Sequence, residues 1–125
     1  MRCLRSSITI PKRVTEIGNG AFYECHSLDS VHIDDIAAWC KINFEDSIAN
    51  PLLYAKNLYL NEKLVTELVI PKEIKEVKQY SFINYNSLIS VIIPDSVNAI
   101  NNSSFYNCKS LSTVKFGNGL KSIGE

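Results

Sequence analysis

Cys25, His26 and His32 are the residues whose types and closeness in the chain could do chemistry. A thiol beside an imidazole can act as nucleophile and base, and imidazoles with a thiolate can begin a zinc site. Neither arrangement is complete here. Cys3, Cys40 and Cys108 make no C-x-x-C pair and no short regular spacing, so neither a zinc ribbon nor a redox motif is suggested, and the four cysteines read as mostly buried small side chains. "GNG" stands at 18–20 and again at 117–119, but no phosphate-loop or dinucleotide context follows, which makes both copies turns. Asp34, Asp35, Glu45 and Asp46 are spaced too loosely for a paired acid and base or a calcium loop. Trp39 and Tyr54 could stack on a sugar, although packing a bulky segment is the expected role. "NNSS" at 101–104 carries overlapping glycosylation sequons, which matter only in a chain exported by a eukaryote. The expectation is a protein without catalytic residues, metal ligands or a cofactor.

The elements that would hold such residues follow from composition and period. The 125 residues are 46% hydrophobic and 21% charged, an ordinary composition for one folded domain with a sizeable core. Thirteen basic and thirteen acidic residues leave no net charge, so nucleic acid and anionic membranes are not expected partners. "MRCLRSSITIPKR" has no apolar h-region or cleavage site, and no run is long enough to insert in a bilayer, so the chain is expected to be soluble without a signal peptide.

Three stretches share one skeleton: "AFYECHSLDSVHI" at 21–33, "SFINYNSLISVII" at 81–93 and "SFYNCKSLSTVKF" at 104–116. Counting from Ile10 to Ile33 gives a period of 23, which returns from Ile70 to Ile93 and from Ile93 to Phe116. The interval from Ile33 to Ile70 is 37, or 23 plus 14, so the second unit carries an insertion. Val14, Ile74, Val97 and Leu120 recur at one position of the period, Ile17, Val77, Ile100 and Ile123 at the next, then Phe22, Phe82 and Phe105. Leu28, Leu88 and Leu111, followed by Val31, Val91 and Val114, complete the pattern. Self-similarity at such a period marks stacked supersecondary units.

Each unit ends on L-x-x-V-x-I, whose period of two and β-branched residues fit a short strand with one buried face. Pro11, Pro71 and Pro94 follow directly, where a missing N–H ends the ladder and a fixed φ begins a turn. One unit cannot cover its own apolar side chains, whereas stacking buries them against the neighbouring copy at roughly 1.5 to 3 kcal/mol each. The predicted fold is a repeat solenoid of 23-residue units with short parallel strands stacked in a ladder. Its division is a partial unit 1–10, units 11–33, 34–70, 71–93 and 94–116, and a partial unit 117–125. Ser27, Ser87 and Ser110, just before the strand, are expected to bond turn backbone groups between coils. Tyr85, standing where Cys25 and Cys108 stand in their units, is expected near an edge of the core.

The pattern I-P-x-x-V-x-x-I-x-x-x-[AS]-F-x-x-[CY]-x-S-L-x-x-V-x-[IF], clearest in "IPKRVTEIGNGAFYECHSLDSVHI" and "IPDSVNAINNSSFYNCKSLSTVKF", resembles the BspA-like leucine-rich repeat family of bacterial and protist surface proteins. The middle segment, "AWCKINF" then "NPLLYAKNLYLN", looks like a variant unit with an inserted hairpin. "NLYL" and "KLVTELVIP" would be its strands around Asn61-Glu62, a turn expected to be long or strained because Glu62 stands where glycine is preferred. The resemblance implies a non-catalytic, adhesin-like module binding a host or cell-surface protein, and a location at the cell surface or outside the cell. The missing signal peptide leaves a cytoplasmic location open.

Stacked strands would align their open positions in columns, and these are the expected binding residues: Asp29, Ile89 and Ser112, then Ser30, Ser90 and Thr113, then His32, Ile92 and Lys115. Ile89 and Ile92 would form a small outward apolar patch. The competing expectation is a structural spacer, or a truncated piece of a longer array, that self-associates through uncovered solenoid ends. No nucleophile, base and orienting group can be assembled from the repeated positions, so an enzyme is not expected.

Overall fold

A computed structural model describes residues 5–18, 21–22 and 25–124. Cys3, part of the first partial unit and part of the first "GNG" lie outside the described residues. In chain order the elements are β1 Ser7–Thr9, β2 Glu16–Ile17, β3 Ser30–Ile33, α1 Ile36–Cys40, β4 Asn43–Phe44, a 3-10 turn Ser47–Ala49 and α2 Leu52–Ala55. There follow β5 Leu58–Leu60, β6 Lys63–Leu64, β7 Glu67–Val69, β8 Glu76–Val77, β9 Ser90–Ile93, β10 Ala99–Ile100, β11 Thr113–Phe116 and β12 Ser122–Ile123.

The strands form parallel ladders of a repeat fold. One sheet runs β1-β3-β5 with β6 antiparallel at its edge, and another runs β7-β9-β11. Two more, β2-β4 and β8-β10-β12, lie further along each copy. Val31 pairs with Ile8, Val91 with Leu68 and Val114, so the repeated valines stand in register. Alternation in the strand sends Val31, Ile33, Val91 and Ile93 into the core, where they join Leu28, Leu88, Val77, Val97 and Phe82. The Phe82 and Phe105 rings stack at 5.4 Å, one copy on the next.

The turn after each strand follows from its proline. The carbonyls of Pro11, Pro71 and Pro94 accept from the N–H groups of Val14, Ile74 and Val97 at 3.1, 3.1 and 3.2 Å, closing three equivalent turns. Left-handed backbone recurs too, at Tyr80 and Asn84 in one copy and at Ser103 and Asn107 in the next. "GNG" at 117–119 is a tight turn against Asp95, whose side chain accepts from the Asn118 N–H at 2.7 Å. A Cβ on Gly119 would collide with the Asp95 carbonyl, so close packing of the two chain segments demands glycine there.

Residues 34–57 depart from this regularity and are held by side chains. Asp35 caps α1 by accepting from the Ala38 N–H, and Asp46 caps the 3-10 turn through the Ala49 N–H, which accounts for two of the loosely spaced acids. Trp39 is buried and donates its indole N–H to the Ser81 carbonyl at 3.0 Å, while buried Asn50 donates to the carbonyls of Tyr80 and Ser81 at 2.6 and 3.1 Å. These donors reach the backbone of 80–81, where a regular neighbour would present its own main chain instead. The Asn86 N–H closes the contact on the Lys56 carbonyl at 3.0 Å.

β5 and β6 pair antiparallel across Asn61-Glu62, both at positive φ of 49° and 71°. The connection is the shortest a hairpin allows and is not lengthened, so the strain expected of it falls on Glu62. Tyr85 does not lie at an edge of the core: it is fully buried, and its hydroxyl donates to the Val65 carbonyl at 2.6 Å. Burial holds that phenol well above its ordinary value, so it stays a donor. The Ser87 hydroxyl, expected to bond turn backbone, has no protein partner, and Ser27 and Ser110 are exposed.

Candidate binding face

Alternation that buries Val91 and Ile93 turns Ser90 and Ile92 outward on the same strand. Register then sets their neighbours: Val69, Ile92 and Lys115 form one row across β7-β9-β11, and Glu67, Ser90 and Thr113 form the next. Val69, Ile89 and Ile92 are exposed large hydrophobics, and Ser112 beside them donates its hydroxyl to the Ile89 carbonyl at 3.3 Å. Beyond Val69 the surface dips into a groove of about 430 Å³ between β7 and the β5-β6 hairpin, lined by Leu60, Leu64, Val65 and Val69 among others. Apolar side chains flanked by Glu67 and Lys115 make a surface suited to an apolar contact with a polar rim.

Of the nine expected residues, Ile89, Ser90, Ile92, Ser112, Thr113 and Lys115 come together on or beside this face. Asp29, Ser30 and His32 do not join them, because Ser30 and His32 lie on β3 of the β1-β3-β5 sheet and Asp29 directly precedes that strand. There the row is Thr9, His32 and Tyr59, and the ladder continues from β5 into the hairpin strand β6, so the three expected columns are each divided between two sheets. Ser30 is also not open: it is 8% exposed and lies 3.1 Å from His32 Nε2. His32 is half-buried, stacked on Tyr59 at 4.8 Å, with Glu62 Oε1 at 3.7 Å from its Nδ1. Asp29 is exposed.

Val69 and Glu67 were not among the expected residues. Counted forward from Ile33 they fall inside an irregular unit; counted back from Ile70, Val69 occupies the place of Ile92 and Lys115. The signal was present but lay on the far side of the insertion.

The thiols are placed where they do little chemistry. Cys25 is disulfide-bonded, so it is neither a free small side chain nor a thiolate for a nucleophile or a metal. Cys40 is buried, and that burial, with the carboxylates of Asp35 and Glu73, pushes it up to about 12. Cys108 is half-buried rather than buried, and desolvation lifts it to about 11. His26 sits edge-on against the Tyr54 ring at 5.2 Å. Among the described residues no three His, Cys, Asp or Glu side chains gather as a metal would require. A polar cleft of about 380 Å³ lies by β4, β8 and β10, with Lys78 donating to Asn43 at 2.7 Å and Asn101 to Glu76 at 3.0 Å. Phe44, which lines it, is buried and offers no open ring for stacking. Among the described residues no helix is long and apolar enough to cross a membrane.

Known structures share this architecture. A leucine-rich repeat protein from Bacteroides ovatus matches with a TM-score of 0.58 and 25% identity over 95% of this chain and 33% of its own. A leucine-rich cell surface protein from Faecalibacterium prausnitzii matches with a TM-score of 0.50 and 22% identity over 92% of this chain and 33% of its own. The chain thus spans about a third of the length of either. No curated protein matches it. The BspA type leucine-rich repeat region matches this chain in 6 copies over residues 1–50 and 54–125, and the chain belongs to that family.

Proposed function

We propose that this chain is a non-catalytic protein-binding module of the surface, adhesin-like type, and that its partner lands on the outer face of β7-β9-β11. The observation that carries the reading is the pairing of exposed Val69 and Ile92, with exposed Ile89 beside them and the Leu64 groove adjoining. Apolar side chains facing water in adjacent rungs are the feature of this fold that an interface uses. Ser90, Ser112, Thr113 and Lys115 supply its polar rim. Asp29, Ser30 and His32, on the other sheet, form a separate and more closed surface whose contribution is smaller.

The Cys25 disulfide supports a location at the cell surface or outside the cell, since such bonds persist in oxidising compartments. The unit boundaries fit the same picture of successive coils of one solenoid with a period of 23. Ile33 pairs with Leu60 at an interval of 27, which exceeds the period by 4, and Leu60 precedes Ile70 by 10. The insertion of 14 therefore divides into 4 within the enlarged coil and 10 in the hairpin.

The test is surface plasmon resonance of the chain over immobilised extracellular-matrix proteins and captured bacterial cells. Ile92→Glu is expected to weaken any binding found by at least about tenfold while leaving the circular dichroism unchanged. Unaltered binding would reject this face, and no binding to either class of surface would count against the module itself.

A further inference from the structure

The parallel ladder is interrupted in the enlarged unit. β6 closes one sheet, β7 opens the next, and the two are terminal strands facing a gap. Strands stack beyond both of its walls, β3 and β1 past β5 and β9 and β11 past β7, so the gap belongs to the middle of the stack and not to either end of it.

The bonds of β7 show which of its groups face the gap. The Thr66 carbonyl accepts from the N–H groups of Ile89 and Ser90 at 2.8 and 3.2 Å, and the Ile70 N–H donates to the Ile92 carbonyl at 3.0 Å. Alternate residues of a strand direct their main-chain groups to opposite neighbours. Thr66, Leu68 and Ile70 therefore serve β9, while Glu67 and Val69 aim their N–H and C=O groups into the gap. Among the described residues β7 has no partner strand on that side. The space beside it is the groove of about 430 Å³ whose lining includes Leu60, Leu64, Val65 and Val69. Leu64 is 42% exposed and Val69 57% exposed, and Lys63 on the hairpin and Glu67 on β7 add one charge of each sign.

We propose that this groove takes an extended segment of a protein partner, added to β7 as a strand. Glu67 and Val69 present their open groups roughly 6.6 Å apart along the strand, a spacing that an extended main chain matches with its own donors and acceptors. A helix spends those groups internally, and a small apolar molecule has none. A second copy of the whole sheet is obstructed by the β5-β6 hairpin, which stands beside the same edge. The segment sets an apolar side chain among Leu60, Leu64 and Val69, a basic residue opposite Glu67 and an acidic one towards Lys63. This proposal rests on the protein-binding reading above and adds the form of the segment bound.

The test is nuclear magnetic resonance of the 125-residue chain with two capped probe peptides, Lys-Val-Leu-Val-Glu and its reverse, which cover parallel and antiparallel addition. One of them is expected to shift the Glu67 and Val69 amide resonances and to slow their hydrogen exchange. N-methylating one alternate set of its peptide bonds should weaken binding by more than about tenfold, and methylating the other set far less, because only one set faces β7. Val69→Pro removes the N–H that faces the gap and none that serves β9, so it should weaken binding as much with unchanged circular dichroism. Ile92→Glu, which tests the outer face, should leave the peptide bound, so the two readings fail separately. No shift with either probe, shifts confined to the Ile92 row, equal binding of both N-methylated forms, or peptide binding lost in Ile92→Glu would each overturn strand addition at β7.

Discussion

The side-chain amide of Asn107 donates to that of Asn84 over 3.0 Å, and both residues hold left-handed backbone, with φ of 60° and 55°. Asn84 in turn donates to the Leu53 carbonyl at 3.0 Å, so a chain of amides crosses three successive copies. Asparagine suits the place because it tolerates positive φ and offers both a donor and an acceptor. Asn84→Ala loses both properties and should cost about 2 to 3 kcal/mol of unfolding free energy. Asn84→Gly restores the backbone alone and should cost about half as much. Urea unfolding midpoints of the two variants decide it; equal losses would mean that the hydrogen bonds carry the whole effect.

Trp39 joins the irregular segment to the copy that follows through one buried donor on the Ser81 carbonyl. Trp39→Phe keeps most of the ring but leaves that carbonyl with Asn50 alone. A loss of about 1 to 3 kcal/mol is expected in chemical unfolding. Trp39→Ala, which also opens a cavity, should cost about 3 to 5 kcal/mol.

The turn residue Glu62 holds φ of 71°, a conformation glycine adopts freely and glutamate does not. Its carboxylate stands 3.7 Å from His32, and its own side chain is largely in water, so little attraction is lost on removing it. Glu62→Gly should therefore stabilise the chain by about 0.5 to 1 kcal/mol, read as a higher thermal midpoint. A lower midpoint would show that the His32 contact outweighs the backbone strain.

Cys40 is held up to about 12 from an ordinary 9.0 by burial first and then by the carboxylates of Asp35 and Glu73. Above pH 9 the unfolded chain gives up this proton while the folded chain keeps it, so alkali favours unfolding. Stability should be insensitive to this group below pH 9 and fall between pH 9 and 12, with a slope approaching about 1.4 kcal/mol per pH unit. Cys108 adds a smaller loss between 9.0 and about 11. Urea titrations across that range, compared with Cys40→Ala, should show the variant's curve to be flatter. Native Cys40 should also resist alkylation at neutral pH.

The repeat was legible because stacking leaves a periodic imprint: each copy must place Leu, Val and Ile at the same points to meet the next. The same arithmetic found the prolines that close the turns and the outward Ile89 and Ile92. Burial of Tyr85 was not legible, since a bulky residue in a small residue's place is accommodated only by what lies opposite, here the Val65 carbonyl of the preceding hairpin. Nor was the idle hydroxyl of Ser87, which stands near turn backbone in sequence but bonds none of it.

Sequence alone determined the coil: its strand, its turn and which side chains face a neighbouring copy, because those depend on neighbours one repeat away and are written into every copy. Tertiary structure decided where the copies stop resembling one another. It divided the expected columns between two sheets, drew Trp39 and Asn50 onto the backbone of 80–81, and bonded Cys25. The first two depend on an insertion, where the period that makes the rest readable no longer applies.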